Sequence, residues 1–382
     1  MHRLSLPGIC KDIALLSSVT HEADLRGALP ERSLIILDES LQQQDETRRL
    51  IHLLTAGKPF ILKAIPASSY AQKPSFAENF LEELKNDGTE YGGILAIGGS
   101  TVLNLADYIA YGLSDQNKKE FPHYIVPSTL LALRAQHDPN AIVFSPYILE
   151  TLPDDELKRD LAESLRHALL QDYAYPGHGN DWISFDDASL LMGQEHPDRT
   201  LVSTEALMTL YAKAQIMQMG KTAKAEANLL LSYGLLHAHA LEMATDYTVP
   251  PGDSAVFGML VDLKLAGDKE LYKKILKLTP SLPLSKTFET LSFDENKLRA
   301  AYKAETRPFF RAALNDTGHN PGFEILPLES IGQYFDPKPE DIHPKIFRLE
   351  QIIIATRDVH ADIERHIQRS TFMRPKKSVF PL

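Results

Sequence analysis

The residues best placed to do chemistry fall in three short stretches of this 382-residue chain. Glu163 and His167 lie four positions apart in a segment of helical spacing, so both project from one face, a turn apart. That geometry suits two metal ligands, and it is also a common surface pairing. Further on, Tyr233-Gly-Leu-Leu-His-Ala-His-Ala-Leu-Glu242 carries His237 and His239 and is followed by Pro250-Pro-Gly-Asp253. Zinc takes three or four ligands from His, Asp, Glu or Cys at roughly 2.0–2.3 Å. Glu163, His167, His239 and Asp253 could together make such a site, provided the Pro250-Pro-Gly loop brings Asp253 round. The third stretch is Gly98-Gly-Ser-Thr-Val-Leu-Asn-Leu-Ala106, where two glycines open a helix directly after an apolar run. Backbone N–H groups there can approach a phosphate, and the helix dipole favours its charge. A plain tight turn would use the same residues.

These residues need elements to hold them. Ser33–Leu37, Pro59–Ile65, Gly93–Ile97 and Tyr124–Val126 are short apolar runs expected as strands. Between them, Asp45–Ala56, Phe76–Asn86 and Thr101–Tyr111 have helical spacing, with Phe80, Leu81 and Leu84 inward. Strands alternating with helices at this pitch imply a parallel sheet with crossover helices. The glycine turn then sits at the carboxyl end of the third strand, where open α/β sheets bind ligands. After Leu152 the pattern changes to long helices over Asp154–Gln171, Ser203–Glu242 and Gly252–Ala266. A short one is expected over Phe185–Leu191, and a last over Ile342–Arg369 with Ile346, Leu349, Ile353, Ile363 and Ile367 inward. Proline and polar residues are frequent from Pro280 to Pro339. The fold class is therefore a Rossmann-like α/β domain over residues 1–152 followed by an all-α domain over 153–382.

Bulk properties narrow the function. A net charge of −11 with scattered acids and bases argues against a nucleic-acid or anionic-membrane surface. Cys10 is the single cysteine, so neither an intrachain disulfide nor a cysteine zinc site can form. The apolar runs are too short to span a bilayer, and the start of the chain lacks a signal-peptide core. A cytoplasmic protein is expected. His178, His196 and His319 lie in Gly/Pro/Asp-rich stretches read as solvated loops, and Lys376-Lys377 as an exposed charge pair. No Gx-Ser-xG elbow, P-loop, HExxH or EF-hand pattern occurs.

Taken in order, these motifs resemble the dehydroquinate synthase family over roughly residues 30 to 310. The central stretch is similar to that family's FGHTxGHAIE motif, and Pro251-Gly-Asp253 to its HGE. Pro153-Asp-Asp-Glu-Leu…Leu161-Ala-Glu163-Ser-Leu-Arg166-His167 resembles LPxxEL…LAEVIKYG, and Pro127-Ser-Thr-Leu-Leu-Ala132 resembles PTTLLA. The family binds NAD, so the resemblance implies cofactor contacts from Asp38, Ser40, Lys73, Gly98, Gly99, Ser100, Asn104, Ser128 and Thr129. Ser100 and Asn104 replace a glycine and an aspartate there, and Tyr70 a glutamate. His239, Lys213 and Arg166 fall on substrate-binding positions, and Glu163 on a metal ligand.

The departures matter as much. Leu235 and Pro251 occupy the family's two histidine ligand positions, and neither side chain has a lone pair to give. His237 points well away from position 235, at ~100° per helical residue. Asn228 and Ser232 replace a substrate arginine and asparagine. Leu133–Asn140 bridges, in a few residues, a long loop that supplies an acid and lysines, with Ala135 where the acid belongs. A divalent metal is therefore expected to be absent, and true 3-dehydroquinate synthesis with it. The expected function is an NAD-dependent cyclase, lyase or oxidoreductase acting on a phosphorylated sugar or polyol. The alternative is a non-catalytic descendant kept for binding a nucleotide or a protein. The family also implies a homodimer.

Overall fold

The computed structural model describes residues 3–6, 10–15, 25–66, 71, 73–117, 121–129, 139–174, 185–209, 232–304, 312–313, 322–325 and 345–373. Contacts divide the chain into two units, residues 1–164 with 198–222, and residues 165–197 with 223–382.

The first unit is built on a sheet of seven strands: β1 (Arg3–Leu6), β2 (Cys10–Leu15), β3 (Ser33–Asp38), β4 (Phe60–Ile65), β5 (Ile94–Gly98), β6 (His123–Pro127) and β7 (Ala141–Phe144). Their order is β1-β2-β7-β6-β5-β3-β4, and every neighbouring pair is parallel except β1 with β2. Parallel neighbours need crossover connections. These are α1 (Asp45–Thr55) after β3, α2 (Pro74–Asn86) after β4 and α3 (Ser100–Asn117) after β5. Alternate strand residues face opposite sides. Leu34 and Ile36 pack with Phe80, Leu81 and Leu84 of α2 and with Ile109 of α3. Ile35 and Leu37 pack with Leu50, Ile51 and Leu54 of α1. With both faces covered, β3 and β5 are buried along almost their whole length, so they read as unbroken apolar runs.

Chain direction across the sheet reverses at β3. Its neighbours β4 and β5 follow one another in sequence but lie on opposite sides of it. Because α1 and α3 then leave towards opposite faces, a crevice opens beyond the carboxyl ends of β3 and β5.

The second unit is mainly helical. It takes the later part of α4 (Asp154–Ala174), within which the division falls, and continues with α5 (Phe185–Gly193), α6 (Leu235–Ala244), α7 (Pro251–Ala266) and α8 (Lys269–Leu278). α9 (Leu284–Thr290), α10 (Glu295–Ala304) and α11 (Leu349–Met373) complete it. Leu349, Ile353, Ile363 and Ile367 of α11 are buried as the spacing predicts. A small antiparallel sheet of β8 (Ala312–Ala313), β9 (Gly322–Ile325) and β10 (Lys345–Arg348) adds to the helical pattern. Two expected helices change accordingly. The last starts as β10 and turns helical only at Leu349. The one read through Glu242 is interrupted by a turn at Ser232–Gly234, where Gly234 has φ 72. Among the described residues no helix is long and apolar enough to cross a membrane.

Within this unit His360 of α11 packs between Phe293 and Phe288, with ring centroids 5.0 and 5.5 Å away. Burial holds its pKa below the usual 6.5, against the pull of Glu364 at 3.7 Å. The unfolded chain therefore takes up this proton first. Stability is fully present above about pH 6.5 and is lost as pH falls towards the lowered folded value. Thermal unfolding of His360→Leu from about pH 7 to about pH 5 should show a smaller fall in midpoint than the unsubstituted protein.

Candidate functional site

The glycine turn lies where the crevice opens. Register places Gly98 beside Pro127 at the end of β6, and Leu37 beside Ile97, so Asp38 and Gly98 are adjacent strand ends. The turn is tight. A Cβ on Gly98 would stand 2.8 Å from that of Val102, closer than side chains tolerate, whereas one on Gly99 would meet Thr129 at an ordinary 3.5 Å. Ser128 N–H donates to Gly98 O at 2.9 Å and Leu103 N–H to Gly99 O at 3.1 Å. Ser100 then begins α3, whose first N–H groups face the crevice mouth.

Around this turn the other sequence-predicted residues are unevenly placed. Ser128 is buried and Thr129 half-buried against Gly99. Asp38 is half-buried, and its Oδ1 accepts both Ser40 N–H at 2.9 Å and Ser40 Oγ–H at 2.7 Å. Those two bonds shape the turn after β3 and leave Oδ2 for another donor. Lys73, at the start of α2, and Ser40 and Asn104 are exposed.

On α4 the ionisable groups are buried to an unusual degree. Glu163 and His167 are 0 % exposed and Arg166 is 1 % exposed, and Lys158 and Asp160 on the same helix are also buried. Charged side chains are seldom withdrawn from water without a partner or a task. Sequence reading missed Lys158 and Asp160. The signal available was spacing, since Asp160, Glu163 and His167 form a 3–4 row along one face. Lys213 lies outside the described residues.

In the second unit the motif residues are committed to structure. Gly234 O would lie 2.0 Å from a Cβ on Gly258, so α6 and α7 touch backbone to backbone only because residue 258 is glycine. This contact brings Asp262 of α7 to the start of α6, where its Oδ2 accepts Gly234 N–H at 2.5 Å. Asp262 Oδ1 stands 2.8 Å from His237 Nε2, off the line of an ideal hydrogen bond. His237 Nδ1 is 2.7 Å from Tyr302 Oη, and Thr356 lies beyond at 3.4 Å. Burial pushes the Tyr302 hydroxyl pKa upward, which keeps it a proton donor. Thus His237 is a core residue.

Leu235 packs in an apolar cluster with Leu298, Tyr302 and Ile352. Pro251 is the first residue of α7, and the buried carboxylate of Asp253 accepts the Thr287 hydroxyl at 2.6 Å. Glu242 accepts from Ser254. His239 is half-buried on α6. The residues at these positions do not fit the metal that the resemblance implies. Two offer no donor atom, and the carboxylate of Asp253 is already bonded to Thr287. Among the described residues no three His, Cys, Asp or Glu side chains are grouped so as to hold an ion.

Comparison with known proteins agrees with this fold. The 3-dehydroquinate synthase of Halalkalibacterium halodurans is 25% identical over 293 residues, covering 69% of this chain and 74% of that one. That of Sulfurisphaera tokodaii is 25% identical over 253 residues, covering 59% and 65%. Among solved structures, 2-deoxy-scyllo-inosose synthase complexed with carbaglucose-6-phosphate, NAD+ and Co2+ superposes with a TM-score of 0.66 at 17% identity, over 91% of this chain and 96% of that one. The 2-epi-5-epi-valiolone synthase of Streptomyces hygroscopicus, with NAD+ and Zn2+ bound, gives 0.60 at 18% identity over the same shares. No family model matches. The architecture is the dehydroquinate synthase-like fold, and the chain is similar in sequence to 3-dehydroquinate synthases.

Two substitutions test the helix pair. Gly258→Ala should lower stability by about 1–3 kcal/mol, because the new methyl meets a backbone oxygen that cannot rotate away. Asp262→Ala should cost about 1–3 kcal/mol by leaving the buried Gly234 N–H without its acceptor. Denaturant unfolding of each variant measures both.

Proposed function

We propose that the chain binds NAD in the crevice of its first unit and works on a phosphorylated sugar or polyol, in a reaction that has departed from 3-dehydroquinate synthesis. The observation that carries this reading is the Gly98-Gly99 turn at the sheet's reversal point, with Asp38 on one side and Ser128-Thr129 on the other. Backbone N–H groups at the start of α3 receive a pyrophosphate, Asp38 Oδ2 accepts a ribose hydroxyl, and Ser128 and Thr129 line the side nearest β6. Bound there, NAD supplies reversible removal of hydride from a carbinol. His239, Lys213 and Arg166 are assigned to the substrate, with Arg166 as a fixed cation for an anionic group. Glu163 remains a buried carboxylate suited to accept a substrate hydrogen bond or proton.

The reading excludes the metal of the relatives from this chain's chemistry on the ground of donor atoms. With Leu235 and Pro251 in place of imidazoles, Glu163 is the one ligand position kept from the family set, and a zinc site needs at least three. Loss of the Lewis acid leaves nothing to acidify the substrate hydroxyl in the way the cyclases require. That same loss favours the second reading, a descendant that binds nucleotide without turnover.

Calorimetric titration should show saturable NAD binding, weakened about tenfold or more in Asp38→Ala by loss of a charged hydrogen bond. Elemental analysis should find no stoichiometric divalent metal, and Glu163→Ala should leave the metal content unchanged. One equivalent of zinc that disappears in that variant would refute the metal-free assignment, and absence of NAD binding would refute the site. Hydride transfer from any phosphosugar separates the enzyme from the non-catalytic descendant.

A further inference from the structure

The sheet of the first unit ends on one side in an unprotected strand. β4 is the last strand there, and among the described residues its outer edge pairs with nothing. Alternate residues of such a strand turn N–H and C=O groups outward, where they can accept another extended strand. Proteins keep free edges from pairing with proline, a bulge or charge. Between Phe60 and Ile65 there is no proline, and the register with β3 is unbroken over all six residues. The one charge, Lys63, is paired with Glu83 of α2 at 2.7 Å.

The two faces of β4 differ. Ile61, Lys63 and Ile65 stand beside Leu34, Ile36 and Asp38 on the α2 side, where Ile61 packs against the core and Ile65 is buried. Phe60, Leu62 and Ala64 stand beside Ser33, Ile35 and Leu37 on the α1 side, and α1 does not cover them. Phe60 is 42% exposed and Leu62 36%. A row of apolar side chains beside an open row of backbone groups is a surface made for a further strand.

Symmetry and charge point to the occupant. A second copy meets this edge by antiparallel pairing about a two-fold axis, which presents the same patch from both sides. Because only alternate residues turn backbone groups outward, residues facing across the axis share one alternation, and the axis passes through a residue. An axis at Lys63 would set two ammonium groups opposite one another, which is unfavourable. An axis at Leu62 sets leucine against leucine. It also sets Phe60 against Ala64 of the second copy, a large side chain against a small one on the exposed face. On the other face each copy brings one Lys63–Glu83 pair, so the charges there balance.

We infer that β4 is an interaction surface for a second copy of this chain, joining the two sheets edge to edge about an axis at Leu62. The inference rests on β4 alone and stands whether or not the crevice binds NAD.

Sedimentation of the full chain over a range of concentrations should show a dimer, twice the 42.7 kDa of one chain. Leu62→Lys brings two charges together at the axis and should raise the dissociation constant at least about tenfold, with the circular dichroism spectrum unchanged. Cross-linking locates the axis. In a Cys10→Ser background, Leu62→Cys should form an interchain disulfide under mild oxidation, since directly opposed residues have Cα atoms about 4.5–5.5 Å apart. Phe60→Cys should not, because its mate lies about 13 Å away along the strand. Should Leu62→Lys fail to fold, the two cysteine variants decide by themselves. A monomer at every concentration, a dimer that Leu62→Lys leaves equally tight, or cross-linking as ready in Phe60→Cys as in Leu62→Cys overturns the proposal.

Discussion

Two helices in the second unit approach until backbone meets backbone, and this contact governs what the histidine-bearing motif is able to do. Gly258 has no Cβ, so the carbonyl of Gly234 can occupy the space a side chain would fill. With α6 seated this close on α7, Asp262 reaches both the start of α6 and His237. The carboxylate then serves as the acceptor that the first N–H groups of a helix lack, at an end where negative charge is favoured. His237 and Tyr302 extend the same network into the core. The rotation of α6 is fixed by these partners, and it carries Leu235 into the apolar cluster with Leu298 and Ile352.

The consequence is a division of labour between the two units. In the first, the parallel sheet keeps a crevice whose walls are backbone N–H groups, a carboxylate and hydroxyls. In the reading proposed above, such groups receive a dinucleotide by position more than by side-chain identity, and the turn is formed with Ser100 and Asn104 in place. In the second, positions that would need imidazole hold leucine and proline, and the nearby acids have found structural partners in Ser254 and Thr287. Metal binding depends on specific donor atoms at fixed distances. Replacing two imidazoles removes donor atoms that such a site needs, whereas a turn that offers backbone N–H groups tolerates changes of side chain.

Buried charge on α4 points in the other direction. Lys158, Asp160, Glu163, Arg166 and His167 are all withdrawn from water along one helix. A purely structural helix would seldom keep so many ionisable groups inside, given the cost of desolvating each. Their retention is what keeps an enzymatic reading beside the proposed loss of the metal.

Much of this was legible in the chain itself. Apolar runs of five or so residues alternating with helical spacing determined the parallel sheet, and buried strands have no other pattern to show. The position of Gly98-Gly99 after such a run determined that a tight turn joins a strand end to a helix start there, and the chemistry of Leu235 and Pro251 determined that neither could be a ligand. Tertiary structure decided the rest. β1 and β7 are only four residues long, Lys11 and Asp12 break the apolar pattern of β2, and β10 hides in a helical pattern because four residues fit either period. Nothing local distinguishes His237, locked in the core, from the half-buried His239 two residues on. Only the approach of Asp262 and Tyr302 does, and those residues are brought there by packing between helices far apart in sequence. Local spacing sets which face a side chain takes, but which neighbour fills the space beyond it is settled by long-range burial.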